Sequence, residues 1–63
     1  MPKYDVGDIL QVDSPFNNPK NCWYLFITSV ANDRYYYFYM DDGRADWSAV
    51  DGVDNSERIS RYA

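Results

Sequence analysis

Two long β-favouring segments separated by only two residues constrain the fold of this chain more than any other feature. Residues 22–31 and 34–40 are rich in aromatic and β-branched side chains, which favour strands. Asn32 and Asp33 lie between them and tolerate the positive φ angles that a two-residue hairpin turn demands. We therefore predict an antiparallel hairpin at the centre of the fold.

The length of the turn decides the register of this hairpin, and the register decides which side chains share a face. With a two-residue turn, the face that we assign to the core carries the pairs Ser29–Tyr36, Ile27–Phe38 and Leu25–Met40. The opposite face then presents amphipathic aromatic side chains in the pairs Val30–Tyr35, Thr28–Tyr37 and Phe26–Tyr39. A three-residue turn is the alternative, and it would shift the pairing by one residue and exchange the two faces.

Shorter elements flank the hairpin. A first strand is predicted over residues 8–13, followed by a loop over residues 15–21, which contain two prolines and three asparagines. A glycine turn leads into a further strand over residues 45–50. From Asp54 onward the pattern fits either one helical turn ending near Arg61 or a short last strand. No linker or repeat interrupts the chain, so residues 1–63 are interpreted as a single domain.

Negative charge is concentrated in the second half of the chain. The formal net charge is −4, and residues 41–57 contain six acidic residues against Arg44 alone, a local net charge of −5. This balance argues against direct electrostatic binding to nucleic-acid phosphates or to an anionic membrane. The acidic residues have two interpretations, a protein-binding surface or a solvated edge that prevents sheets from pairing edge to edge. They are Asp41, Asp42, Asp46, Asp51, Asp54 and Glu57.

The residue types of this chain argue against catalysis. It contains no histidine, the side chain best suited to proton transfer near neutral pH, and therefore no Ser–His or Cys–His nucleophile pair. Asp41 and Asp42 are adjacent carboxylates, but so small a domain has little depth in which to desolvate one of them for acid–base chemistry. We therefore expect no enzymatic activity and interpret both as solvated turn residues.

Neither a metal nor a cofactor is expected. Cys22 is the only cysteine, so no disulfide can form within the chain and no second thiol is present for a zinc site. Residues 51–57 lack the ligand spacing of an EF-hand loop, which leaves a weak surface ion site as the alternative to a turn and a helix cap. The single cysteine, together with the absence of a leader or a long apolar segment, predicts a cytoplasmic protein that does not enter a membrane.

The aromatic run at residues 35–39 is the most unusual feature of the sequence. Strand alternation sends Tyr35, Tyr37 and Tyr39 to one face. We expect this face, together with Phe26, to be exposed and to anchor a protein partner, because tyrosine and tryptophan are enriched at the centres of interfaces. The alternative is a fold so thin that both faces are largely packed.

The order of these features resembles the SH3-like small β-barrels. The similarity lies in the opening Val6-Gly7-Asp8-Ile9-Leu10, the central aromatic hairpin, the glycine turn and the terminal helical turn. It implies an all-β fold, a small barrel of four to five antiparallel strands with a short C-terminal helical turn, and it implies no function. The peptide-groove signature of signalling SH3 domains is absent, so their binding residues are not transferred to this chain.

In composition the chain resembles small acidic phage-encoded inhibitors, such as DNA-mimicking anti-CRISPR and anti-restriction proteins. This resemblance implies a non-catalytic inhibitor that blocks the nucleic-acid-binding surface of a basic host enzyme or defence complex. In this hypothesis the six acidic residues meet lysines and arginines of the target. Apolar anchoring would come from Phe26, Tyr35, Tyr37 and Tyr39.

Two alternatives to the inhibitor hypothesis remain. One is an SH3-like adaptor or phage assembly module that docks through the exposed tyrosine face and uses its acidic residues only for solubility. The other is an oligonucleotide-binding barrel, which the negative net charge disfavours. The expected assembly state is a monomer or a weak homodimer.

Overall fold

The computed structural model describes residues 2–13 and 22–63, in which antiparallel strands dominate. In chain order the elements are β1 (Ile9–Val12), β2 (Trp23–Ala31), β3 (Arg34–Tyr39), β4 (Ala45–Ala49), α1 (Val50–Asp54) and β5 (Ile59–Arg61). The strands form one five-stranded sheet in the order β4-β3-β2-β1-β5, and all of the neighbouring pairs are antiparallel. The all-β prediction is therefore confirmed. The sheet is not closed, so the predicted barrel is not confirmed.

The two-residue turn of the central hairpin is confirmed. Asn32 and Asp33 have φ angles of 55° and 60°, the left-handed conformation that such a turn requires at both positions. Beside the turn, Ala31 pairs with Arg34, and the predicted pairs Val30–Tyr35 and Ser29–Tyr36 follow. The β1, β2 and β4 strands lie within a residue or two of their predicted positions. The predicted loop at residues 15–21 lies outside the described residues.

A β-bulge at Thr28 changes the register in the rest of the hairpin. The pairing shifts between Ser29 and Ile27, so that Ile27 lies opposite Tyr37. The Thr28 hydroxyl donates a hydrogen bond to the Tyr36 carbonyl at 3.1 Å, which holds the extra residue against the partner strand. Beyond this point the predicted pairs are wrong. The structure does not contain the predicted pairs Ile27–Phe38, Leu25–Met40, Thr28–Tyr37 and Phe26–Tyr39. In their place, Phe26 pairs with Phe38 and Leu25 pairs with Tyr39.

The bulge places the core on the face that carries the odd-numbered tyrosines of β3. Because one extra residue inverts the alternation of β2, Leu25 and Ile27 lie on the same side of the sheet as Tyr35 and Tyr37. Tyr35 and Ile27 are each 0% exposed. The assignment of the core to the face of Tyr36 and Phe38 is therefore wrong. Among the described residues, the core cluster consists of Tyr4, Leu10, Leu25, Ile27, Tyr35, Tyr37, Val50 and Val53.

Burial of the two core tyrosines is compatible with their hydroxyl groups because both hydroxyls have polar partners. The Tyr35 hydroxyl donates to Asp54 Oδ1 at 2.7 Å and accepts the backbone N–H of Tyr4 at 3.1 Å. The Tyr37 hydroxyl lies 2.7 Å from Ser48 Oγ. Among the described residues, every buried side-chain nitrogen or oxygen has a hydrogen-bond partner.

Of the two alternatives that the sequence left open from Asp54 onward, the short last strand is confirmed, and the helical turn ending near Arg61 is wrong. The helix α1 begins earlier than predicted, directly after β4, and its Val50 and Val53 are three residues apart on one helical face that enters the core. The chain then returns as β5, which pairs with β1. Ile59 of β5 packs against the same core as Val50 and Val53.

Candidate functional site

An aromatic surface lies on the side of the sheet that faces away from the core. Phe26 of β2 packs against Phe38 of β3, with 5.3 Å between ring centroids. Tyr24 makes an edge-on contact with Tyr62 at 4.9 Å. We define the outer face by the aromatic side chains on this side of the sheet together with Arg34: Tyr24, Phe26, Arg34, Tyr36, Phe38, Trp47 and Tyr62.

No helix or strand of residues 2–13 and 22–63 packs over the outer face. All five strands belong to one sheet, and α1 buries Val50 and Val53 on the core side. Trp47 and Tyr62 remain 47% and 61% exposed, respectively. The outer face thus combines rings that pack against one another with rings that are exposed to solvent. This combination is typical of binding surfaces rather than of a hydrophobic core.

Arg34 and Trp47 form a cation–π contact on the outer face. The strand register places Trp47 opposite Tyr36, and the Arg34 guanidinium carbon lies 4.0 Å from the Trp47 ring centroid. Ion pairs in the described part of the chain join Arg44 to Asp42 and Arg61 to Asp8, so Arg34 has no carboxylate partner there. This cation–π contact places the guanidinium over the ring and leaves its N–H donors without a carboxylate partner among the described residues.

The predicted aromatic anchors are divided between the two sides of the sheet. Phe26 belongs to the outer face and is half-buried. Tyr35 and Tyr37 are 0% and 6% exposed, so the expectation that they form a surface is wrong. Tyr39 is half-buried on the core side, where it packs edge-on against Tyr37 with 5.8 Å between centroids. The physical reason is the bulge at Thr28, which brings Ile27 and Leu25 to these tyrosines.

Five of the six predicted acidic residues are exposed, but they lie on different elements. Two follow β3 in the turn to β4, one lies in β4, one in α1 and one in the connection to β5. Asp42 accepts the backbone N–H of Arg44, and Asp46 accepts that of Trp47. The exposed residues are Asp41, Asp42, Asp46, Asp51 and Glu57.

Asp54, the sixth acidic residue, has a structural role. Its Oδ1 accepts the Tyr35 hydroxyl at 2.7 Å, and its Oδ2 accepts the backbone N–H of Lys3 at 3.0 Å. The carboxylate therefore joins α1 to β3 and to the N-terminal segment. Replacing Asp54 would remove these two hydrogen bonds and therefore destabilise the fold, whatever its effect on a binding surface.

The environment of the two buried phenols favours their neutral form. Burial raises the pKa of Tyr35, and its hydrogen bond to the Asp54 carboxylate raises it further. Burial also raises the pKa of Tyr37; the hydrogen bond with Ser48 opposes this shift, while the charge of Asp46 adds to it. Both side chains therefore act near neutral pH as hydrogen-bonded core residues.

Sequence reasoning missed Arg34, Tyr36 and Trp47 as members of one surface. The signal was present, because alternation in β3 puts Arg34 and Tyr36 on one side and a hairpin with β4 places an aromatic residue beside them. Recognising it required knowing that the opposite side of β3 is the core.

Cys22 lies in a small polar cluster beside the sheet. Its sulfur is 3.5 Å from Asp13 Oδ1, and Gln11 Nε2 donates to both of these atoms. Within residues 2–13 and 22–63, no three histidine, cysteine or acidic side chains are grouped so that they could hold a metal ion. None of the helices in these ranges is long and apolar enough to cross a membrane.

Comparison with protein-family models, with curated proteins and with solved structures found no match for this chain.

Proposed function

We propose that this chain is a non-catalytic protein-binding module that docks onto a partner through its outer face. The observation that carries the proposal is the contact of Arg34 with Trp47 at 4.0 Å, on the β3–β4 side of an aromatic surface that no described element covers. Tryptophan, tyrosine and arginine are the residues that dominate binding energy at protein interfaces. The outer face contains all three and no lysine or glutamate.

The charge of the outer face indicates the kind of partner. Arg34 is its only charged residue, although the chain as a whole carries a net charge of −4. A matching partner surface is therefore apolar and contributes a carboxylate to Arg34, since a guanidinium held against a ring is well placed for such a pair. This chemistry agrees with the adaptor or assembly hypothesis rather than with occupation of a basic channel.

A pair of tryptophan variants tests this proposal. Trp47 and Trp23 are 47% and 41% exposed but lie on opposite sides of the sheet, so Trp47→Ala and Trp23→Ala remove similar areas from different surfaces. Each variant and the unmodified chain would be used as bait in bacterial lysate, and bound proteins would be identified by mass spectrometry. The proposal expects a partner that is lost with Trp47→Ala and retained with Trp23→Ala. Retention with Trp47→Ala would refute it.

The acidic inhibitor remains a second proposal, because Asp41, Asp46, Asp51 and Glu57 are exposed and belong to no ion pair of the described residues. Acting in a host cytoplasm, the chain would place these carboxylates against the lysines and arginines of a nucleic-acid-binding protein. Charge reversal at Asp41, Asp42 and Asp46 should then abolish capture of the target, and salt should release it. A partner that is insensitive to both changes would exclude the inhibitor.

We further propose that the sheet curls into a barrel of the SH3-like type. In support, Ser48 of edge strand β4 and Ile59 of edge strand β5 line one cleft on the core side, so the two edges bend towards each other. Nuclear Overhauser contacts between the side chains of β4 and β5 would establish the closure. Their absence in a spectrum that shows all other strand pairs would indicate an open sheet.

A further inference from the structure

A cleft of about 430 Å³ opens on the core side of the sheet, opposite the outer face. Its walls come from β1 to β5 and from α1, and its aromatic lining consists of Trp23, Tyr37 and Tyr39. Ser48 and Arg44 contribute polar groups. The volume falls within the usual range for a site that accepts a side chain or a small ligand.

A cation of the chain itself already occupies one wall of this cleft. The Arg44 guanidinium lies 5.2 Å from the centroid of the Tyr39 ring. The carboxylate of Asp42 is 4.0 Å from Arg44 Nε. An aromatic ring with a neighbouring carboxylate is the combination that binds a guanidinium group, by cation–π attraction and by charge.

The hold on Arg44 is weak. Its side chain is 73% exposed, and its ion pair with Asp42 is at the limit of contact distance. Exposed pairs of this kind contribute little to stability and are screened by salt. The Arg44 side chain can therefore leave the Tyr39 ring at small cost.

The negative charge near the cleft favours a cationic ligand over an anionic one. Asp46 is the cross-strand partner of Tyr37, and alternation places both on the core side of the sheet. The charge of Asp46 reaches Tyr37, whose pKa it raises, and Asp42 pairs with Arg44, which lines the cleft beside Tyr39. An anionic ligand would meet repulsion here, whereas a cationic one would be attracted.

We propose that this cleft binds an arginine side chain of a basic protein partner, which takes the place of Arg44 on the Tyr39 ring between Trp23, Asp42 and Asp46. Arg44 acts as an internal occupant that competes with the incoming arginine. The proposal does not depend on the outer face, because the two surfaces lie on opposite sides of the sheet.

The test uses a short peptide with one arginine, acetyl-Gly-Arg-Gly-amide, titrated into the full ¹⁵N-labelled chain and followed by NMR. The same peptide with citrulline, a neutral side chain of nearly the same shape, measures the contribution of charge. The two indole N–H signals report on location, since Trp23 lines the cleft and Trp47 lies on the outer face. Saturable shifts at Trp23 with the arginine peptide, and none at Trp47, are expected.

Matched variants test the competition and the charge. Arg44→Ala should tighten binding of the arginine peptide by about twofold to fivefold, the factor that corresponds to one exposed cation–π contact. Arg58→Ala removes the same charge from an exposed residue outside the cleft and serves as its control. Asp46→Asn should weaken binding more than Asp51→Asn, which changes an exposed acidic residue of α1.

Three results would overturn the proposal. They are equal binding of the citrulline and arginine peptides, equal effects of Arg44→Ala and Arg58→Ala, and the absence of any Trp23 shift in both the unmodified chain and Arg44→Ala. Circular dichroism of each variant ensures that a loss of binding is not a loss of folding.

Discussion

Tyr35 and Tyr36 are neighbours in β3 with opposite environments. Tyr35 is 0% exposed, and its hydroxyl is held by Asp54 and by the backbone of Tyr4. Tyr36 is half-buried on the outer face, where it lies opposite Trp47. The comparison shows that the burial of a tyrosine in this sheet depends on which face of the strand carries it and on the partners of its hydroxyl group. Residue type alone does not decide it.

The largest difference between the two faces should appear on truncation. Tyr35→Ala should lower the free energy of unfolding by about 3–5 kcal/mol, because it empties a fully buried site, whereas Tyr36→Ala should cost about 1 kcal/mol or less. For so small a domain the first loss approaches the whole expected stability. Urea denaturation followed by circular dichroism measures both. Similar losses for the two variants would show that the two faces are equally packed.

Removing only the hydroxyl groups sharpens the same comparison. Tyr35→Phe leaves the Asp54 carboxylate without its phenol donor and should cost about 1–3 kcal/mol. Tyr36→Phe should change stability by less than about 0.5 kcal/mol, because no buried group in residues 2–13 and 22–63 depends on that hydroxyl. A small effect of Tyr35→Phe would mean that water replaces the lost partner.

Deletion of Thr28 tests whether this residue is the unpaired one that fixes which side chains of β2 face the core. Because Ile27 already pairs with Tyr37 and Ser29 with Tyr36, removing the residue between them leaves a continuous ladder with the same core. We expect a cost of about 1 kcal/mol, from the lost hydrogen bond to the Tyr36 carbonyl. Cross-strand Overhauser contacts between Ile27 and Tyr37 should persist.

Deletion of Phe26 is the matched control for the bulge. It shifts Leu25 and the rest of β2 to the opposite face, so it should be far more destabilising than deletion of Thr28. If both deletions were equally damaging, the bulge would not be the element that sets the faces.

Alkaline pH should destabilise the fold through Tyr35 and Tyr37, two buried tyrosines of the core face. The pKa values of Tyr35 and Tyr37 are raised in the folded chain, whereas the unfolded chain loses these protons near the ordinary value of 10.0. Above that pH the unfolded state therefore binds fewer protons than the folded state. The stabilisation that comes from the two neutral phenols is fully present below that pH, and the free energy of unfolding falls as the pH rises further. Urea midpoints measured between neutral and strongly alkaline pH check the sign. A rise in stability with pH in this range would contradict it.

A small effect on stability is expected at the exposed Arg34–Trp47 contact of the outer face. Arg34→Ala should change the free energy of unfolding by about 0.5–1 kcal/mol at most, since a cation–π contact in solvent is weak. If the outer face is the docking surface, the same variant should weaken partner binding by a much larger factor. Equal losses of stability and of binding would assign Arg34 a structural role only.

Much of the fold was predictable from local sequence patterns. Asn32 and Asp33 identified the turn because few residues other than glycine accept positive φ angles, and the β-favouring segments on either side identified the strands. The candidate site was less predictable. Phe26 was correctly assigned to the face away from Leu25 and Ile27, but Tyr35 and Tyr37 were placed on the surface, and Arg34, Tyr36 and Trp47 were not recognised as a group.

The sequence by itself determined the strand content, the two-residue turn and the concentration of negative charge, because each of these depends on residue types over a few positions. Only the tertiary structure decided which face of the hairpin is buried. A single unpaired residue at Thr28 inverts the alternation of β2, and its position follows from how Leu25 and Ile27 pack with Tyr35, Leu10 and Val53 across the sheet and the helix. Such packing involves residues far apart in the chain, so no local pattern reports it.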